Sequence, residues 1–221
     1  PEKRARAIVL SRSVLGDGSK RVELFTDSLG RVFAVAKGAA KVSHWAGLFE
    51  PLTLMDVILM TSRTDVEAGG FQTYKIIGAD FISEFAEVKR TPEMLAQAAP
   101  FVRLAEAVFQ PGEPYPECFE LLVECLRSIP KCARKEALYN YFNYQALAAL
   151  GGAPVCPDLL RATPLEICRG KVALPAEEGF KREIRTAWNT ALGVEMDPDL
   201  IPRKPLFRHD VSEPLSEDGR I

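Results

Sequence analysis

The spacing of apolar residues changes once along this chain, near residue 80, and that change limits the folds open to it. Before it, apolar and polar residues alternate with a period of two, as in strands; after it, apolar residues return every three to four positions, as on amphipathic helices. Strands first and helices second is the order of an α+β protein in two parts. A chain of 221 residues has room for one large domain or two small ones. The expected layout is a β-barrel over residues 1–80, a helical domain over 81–195 and a C-terminal tail over 196–221. The tail is rich in Pro, Asp and Arg and poor in apolar residues.

The most regular strand pair lies between residues 21 and 37. Val22, Leu24 and Phe25 form a short apolar strand, and Asp27, Ser28 and Gly30 supply turn chemistry, with Gly30 suited to a positive φ. Arg31 to Lys37 reads as the returning strand. Val32, Ala34 and Ala36 share one face; Arg31, Phe33, Val35 and Lys37 share the other. The strand ends at Lys37-Gly38 and enters a loop holding Lys41, His44 and Trp45. Arg31, Lys37 and Lys41 are the candidate phosphate ligands, on one connected basic surface. Trp45 or His44 is the candidate for stacking a base. Two plainer readings stand beside this one: a solvated basic loop, and a Trp45 that plugs the barrel end.

Further strands are expected at Ala5 to Ser11, Leu52 to Met60 and Phe71 to Gly78, with Thr61 to Gly70 as a polar connection. Five short strands with a basic loop between the third and fourth fit a Greek-key barrel of the oligonucleotide-binding (OB-fold) kind. A five-stranded sandwich or an SH3-like barrel fits nearly as well. Beyond residue 80, helical spacing covers Phe81 to Val88. Another helix opens at Thr91-Pro92 and continues through Val108; others run from Cys118 to Ile129, from Lys135 to Leu150 and over 179–192. Tyr139, Tyr141, Phe142 and Tyr144 crowd the Lys135 helix, and core or interface suits them better than base stacking.

Charge is uneven. Residues 1–50 hold nine Lys/Arg against five Asp/Glu, whereas residues 81–221 hold 17 against 21. A polyanion footprint would therefore lie in the first third. The five cysteines include no Cys-x-x-Cys pair, and Cys118, Cys125 and Cys132 recur every seven residues, as core positions of one helix would. An odd count suits free thiols and a reducing compartment. Cys156 and Cys168 are too few for a zinc site unless Asp158, Glu166 or His209 completes it, so no metal and no cofactor is expected. The start, PEKRARAIVL, enters a strand pattern at once and is not read as a signal peptide. No apolar run approaches the roughly 18 residues a membrane helix needs. Motifs of hydrolases, P-loop enzymes and zinc proteases are absent, so the chain does not read as an enzyme.

One block is specific enough to suggest a family. Phe25-Thr26, Gly30-Arg31-Val32 and Val35-Ala36-Lys37-Gly38-Ala39, followed by Leu48, Glu50-Pro51-Leu52-Thr53, resemble the N-terminal domain of RecO, the bacterial recombination mediator and DNA-repair protein. Phe119-Glu120-Leu121-Leu122 after a Pro/Glu-rich loop, and a helix ending at Leu150-Gly151 just before Cys156, are similar too; the resemblance spans residues 5–156. It implies a non-enzymatic cytoplasmic, nucleoid-associated protein that binds single- and double-stranded DNA and anneals complementary strands. The implied partners are the acidic C-terminal tail of single-stranded-DNA-binding protein, RecR and, indirectly, RecA. Many relatives carry a four-cysteine zinc module; Cys156 and Cys168 are all this chain keeps there. A tail ending in an aromatic residue and a free carboxylate calls for an apolar slot with a cation at its mouth, for which Arg103, Arg127 and Arg134 are the candidates. An OB-fold protein-interaction module or an RNA-binding protein with a helical partner domain are the alternatives.

Overall fold

The computed structural model describes residues 1–40, 45, 47–66, 72–172, 174 and 177–203, with side chains outside 62–66 and 177. Five strands come first: β1 (Glu2–Val14), β2 (Lys20–Thr26), β3 (Gly30–Ala36), β4 (Leu54–Val66) and β5 (Gln72–Ser83). They close into a barrel in the order β1-β2-β3-β5-β4. All neighbours are antiparallel except β3 and β5, which meet in parallel through Phe33–Thr73, Ala34–Tyr74 and Val35–Lys75. This closed Greek-key barrel is an OB fold, and the sandwich alternative falls with it. The alternation read from sequence sets the inside: Ala7, Val9, Val22, Leu24, Val32, Ala34, Ala36, Val57 and Leu59 fill the barrel.

β4 runs on through residues 61–66, which the sequence marked as a polar connection, because pairing with β5 continues past Thr61. β5 likewise reaches Ser83. Phe81 to Ser83, expected as the start of a helix, therefore belong to the sheet, and only α1 (Ala86–Lys89) is helical there. Strand length is set by what a partner strand offers, and a local pattern does not record it.

The helices are α2 (Pro92–Val108), α3 (Pro116–Ser128), α4 (Lys135–Ala149), α5 (Pro157–Arg161), α6 (Pro164–Cys168) and α7 (Glu177–Leu192), with a 3-10 turn at Ile129–Lys131. Thr91 caps α2 by accepting from the Met94 N–H at 3.3 Å, and Pro92 takes the first turn, where no amide partner is needed. α4 ends at Gly151, which adopts φ +78; its N–H and that of Gly152 reach back to the Ala148 and Leu147 carbonyls. α5 and α6, five residues each, are too short to leave a periodic signal. Tyr139, Tyr141, Phe142 and Tyr144 of α4 are all buried, the central packing surface of the helical part. After α7 the chain folds back: Met196 bridges Pro202, Leu200 is fully buried, and the Tyr139 hydroxyl donates to the Leu200 carbonyl at 2.8 Å.

One apolar cluster runs through both parts. Ile8, Leu10, Phe25, Leu52 and Leu54, on the outer side of the barrel, pack with the cores of α2, α3 and α4. Phe25 stacks on Phe109 with centroids 4.8 Å apart and leans on Phe119 at 5.9 Å. Aromatic pairs of this kind add about 0.5–1.5 kcal/mol beyond the area they bury. At the rim, the Arg6 guanidinium lies over Phe119, 5.5 Å from its centroid, and pairs with Glu120 and Asp27.

Candidate nucleic-acid interface

The outer face of β2 and β3, where OB folds take nucleic acid, is divided across its length. The half near the turn lies against the helical part. Gly30 has φ +66, and a Cβ there would meet the Glu113 carbonyl oxygen at 1.8 Å. Gly112 N–H donates to the Arg31 carbonyl at 3.0 Å, and Pro111 bridges both Gly30 and Arg31. Gly30 is therefore demanded twice, once by the turn and once by the close approach of the α2–α3 loop.

Arg31 follows into this covered half, which corrects the expectation that it shares an exposed basic surface with Lys37 and Lys41. Its side chain is 2 % exposed, its Nε lies 3.1 Å from Glu23 Oε1, and its guanidinium carbon sits 5.7 Å from the Phe33 centroid. The parity argument placed Arg31 on the correct face; it carried no information about the loop that covers that face. Burial lowers the pKa of the guanidinium against the opposing pull of Glu23 and Glu106. Glu106, on α2, is raised from 4.5 to about 7, first by burial and then by the charge of Glu23, while a hydrogen bond from Ser11 and the charges of Arg31 and Arg103 hold it down.

The other half is open. Arg21 pairs across to Val35, and Val35 to Lys75, giving one outward row on three adjacent strands. At the standard strand spacing, Arg21 and Lys75 are roughly 10 Å apart. All three residues of the row are half-exposed, and Lys37, two residues beyond Val35, is exposed. Gly38, φ +69, turns the chain after it. The β1–β2 turn supports this corner: Ala40 N–H donates to the Gly18 carbonyl at 2.9 Å, and Asp17, its pKa lowered chiefly by the Ser19 N–H and hydroxyl, also feels Lys37. Sequence reasoning missed Arg21 and Lys75, whose meeting requires the parallel β3–β5 pairing. Lys41 and His44 lie outside the described residues. Trp45 is half-buried, packs against the barrel core and meets Phe49 edge-on at 5.9 Å.

Glu50, next to Phe49 in the chain, ties two cations of β1 and β2. Lys20, almost wholly buried, donates to Glu50 at 2.9 Å, and Arg12 reaches the other Glu50 oxygen at 2.7 Å. Despite burial, which works the other way, the two cations together hold the Glu50 carboxyl below its ordinary pKa.

The three arginines proposed for partner binding separate. Arg103, exposed on α2, acts electrostatically on Tyr139, which lines a cavity of about 420 Å³ together with Gln97, Pro100, Lys135, Asp199 and Ile201. Arg134 lies instead against Gly170, and Arg127 sits in the last turn of α3. Cys118 and Cys125 are buried on α3, as their spacing implies; Cys132 is buried too, but beyond the 3-10 turn and off that helix, because Pro130 breaks it. Burial first, and then the neighbouring Cys132, push the Cys168 thiol up to about 12. Cys156 turns elsewhere, its N–H donating to the Tyr144 hydroxyl at 3.1 Å. Among the described residues, no three His, Cys, Asp or Glu side chains are grouped to hold a metal, and no helix is long and apolar enough to cross a membrane.

Comparison with known proteins agrees with this architecture. Residues 2–79 match the family described as Recombination protein O N terminal, and residues 90–157 the one described as Recombination protein O C terminal. The protein named DNA repair protein RecO in Synechococcus sp. (strain JA-3-3Ab) is 30 % identical over 156 residues, 68 % of this chain and 52 % of the relative. That of Pelotomaculum thermopropionicum is 28 % identical over 173 residues, 78 % of this chain and 62 % of the relative. That of Syntrophobacter fumaroxidans is 30 % identical over 184 residues, covering 78 % and 70 %. The chain thus spans little more than half the length of several curated relatives that it matches. With both halves matched in order on an OB barrel and its helical companion, the chain belongs to the RecO family.

Proposed function

We propose that this protein is a non-enzymatic DNA-binding recombination mediator that takes single-stranded DNA on the open half of the β2–β3–β5 face. The carrying observation is the cationic row Arg21–Lys75 leading into exposed Lys37, beside a loop that contains Lys41, His44 and Trp45. Backbone phosphates are read by charge alone, so binding is expected to ignore sequence and to weaken steeply with salt; each cation lost lowers the salt slope by roughly 0.7 on a single strand. The exposed part of Trp45 is the stacking surface, and a stacked base contributes on the order of 1–3 kcal/mol. Arg31 has no part in this contact.

The acidic tail of single-stranded-DNA-binding protein fits the cavity between α2, α4 and the returning 196–203 segment. Pro100, Tyr139 and Ile201 give it apolar walls, Lys135 lies in its lining, and Arg103 stands near Tyr139. Cooperation with RecR to load RecA, strand annealing and a cytoplasmic, nucleoid-associated location belong to the same reading, which calls for no cofactor. Anisotropy of a labelled oligonucleotide at two salt concentrations tests the barrel site. The Arg21→Ala, Lys37→Ala, Lys75→Ala protein should bind every sequence more weakly and with a shallower salt slope. Parental affinity at low salt in that variant would remove the barrel from DNA binding. For the tail, Lys135→Ala with Arg103→Ala should weaken an acidic peptide at least tenfold, and undiminished binding would place that site elsewhere.

A further inference from the structure

A second cationic surface lies on the helical part, away from the barrel. Five exposed cations from three segments converge there: Arg127 in the last turn of α3, Lys131 in the 3-10 turn, Arg134 before α4, and Arg169 and Lys171 after α6. Two contacts draw the segments together. α6 packs on both α3 and α4, which sets residues 168–171 beside the ends of those helices. Gly170, at φ +68, brings its backbone so close to Arg134 that a Cβ would meet the guanidinium nitrogen at 3.2 Å. Arg134 therefore lies against the stretch of backbone between Arg169 and Lys171. Three acids lie within three residues of these cations in the chain, and the nearest, Glu136, is paired with Lys181. Glu166 is committed to the capping box of α6, its carboxylate accepting from the Thr163 N–H and hydroxyl at 2.9 Å each, though it feels Lys171. Glu124 is exposed on α3. None of the five cations forms an ion pair among the described residues.

The position matters as much as the charge. α3 touches the barrel through its N-terminal half, where Phe119 meets Phe25 and Glu120 meets Arg6. Arg127 lies about 12 Å farther along the helix axis, at 1.5 Å per residue. The patch and the Arg21–Lys75 row therefore belong to different parts of the molecule, and one strand bound at the row leaves the patch unoccupied. Five unpaired cations held together repel one another, and a polyanion relieves that repulsion while releasing its own counterions.

We propose that this patch is a second phosphate-binding surface, so that one chain holds two nucleic-acid strands at once. It rests on the reading of the barrel as a DNA site and adds what pairing two mutually repelling strands requires: a cation field for each. Native mass spectrometry of the full chain with a 15-residue oligo-dT counts strands per chain. The parent should carry two. The patch variant, Arg127→Ala with Lys131→Ala, Arg134→Ala, Arg169→Ala and Lys171→Ala, should carry one, with its first-strand affinity changed less than threefold. The barrel variant, Arg21→Ala with Lys37→Ala and Lys75→Ala, should also carry one. Since the patch residues are exposed, an unchanged melting temperature certifies the fold. A patch variant that still carries two strands overturns the proposal, including one that has lost an acidic peptide instead. A parent that carries only one overturns it while leaving the barrel site standing, and a parent that carries none removes both.

Discussion

Arg31 at the start of β3 and Lys37 just past its end follow the same strand parity, and they have opposite fates. Arg31 is buried beside Glu23 under the α2–α3 loop, whereas Lys37 stands exposed at the edge of an open row. Both side chains are cationic at neutral pH. What differs is the neighbour: a loop delivered by the helical part at one end, solvent at the other. A basic residue in a strand is therefore a ligand or a structural tie according to what packs on it, and only the second part of the chain settles which.

The largest expected effect falls at the buried end. Arg31→Ala removes the buried guanidinium from beside the Glu23 carboxylate and should cost about 3–5 kcal/mol, read as a fall in the urea midpoint. Oligonucleotide affinity corrected for the folded fraction should stay at the parental value; a specific loss of affinity at full folding would erase the contrast between the two ends.

Trp45→Ala comes next. With its ring half-buried on the barrel core, the change should cost roughly 2 kcal/mol of stability, about half of what a fully buried Trp loses. A loss of stability with unaltered oligonucleotide affinity would make Trp45 a plug and nothing more.

Glu106 sharpens the comparison through pH. Its folded-state pKa of about 7 lies above the ordinary 4.5, so between those values the folded protein holds a proton that the unfolded chain has released. The contribution is thus fully present below about pH 4.5 and is lost as pH rises through 7. Glu106→Gln should stabilise the protein at pH 8 by roughly 2 kcal/mol, discounted for partial exposure, and by little at pH 5. Equal urea midpoints for parent and variant at both pH values would show that the buried end carries no such strain.

The smallest stability effect is expected at the open end. Lys37→Ala should change stability by less than about 0.5 kcal/mol while lowering the salt slope by roughly 0.7 on a single strand. A stability loss as large as that of Arg31→Ala would make the two ends alike.

The fold was legible wherever a side chain's own spacing decides the outcome. Val32, Ala34 and Ala36 alternate because one barrel face must be dry, and Ala98, Phe101, Val102 and Ala105 return at helical spacing because one stripe of α2 must be. Where a partner decides, the reading stopped short: β4 past Thr61, Phe81–Ser83 as strand, and the five-residue helices α5 and α6 all follow from tertiary pairing or packing. Of the site, Lys37 was legible as an exposed cation at a strand end. Arg21 and Lys75 were not, because 54 positions separate them in the chain and one parallel pairing unites them.

By itself the sequence determined the order of a β part and a helical part, the inward face of each strand, the turn at Gly30 and the family block from Phe25 to Ala39. These are local consequences of side-chain period and backbone freedom. Tertiary structure alone decided that Gly30 and Arg31 serve domain docking, that Arg21, Lys75 and Lys37 form the open cationic edge, and that Arg134 lies against the backbone between Arg169 and Lys171. Burial and charge clustering depend on which distant segments meet, and no single stretch of chain encodes its neighbours across space.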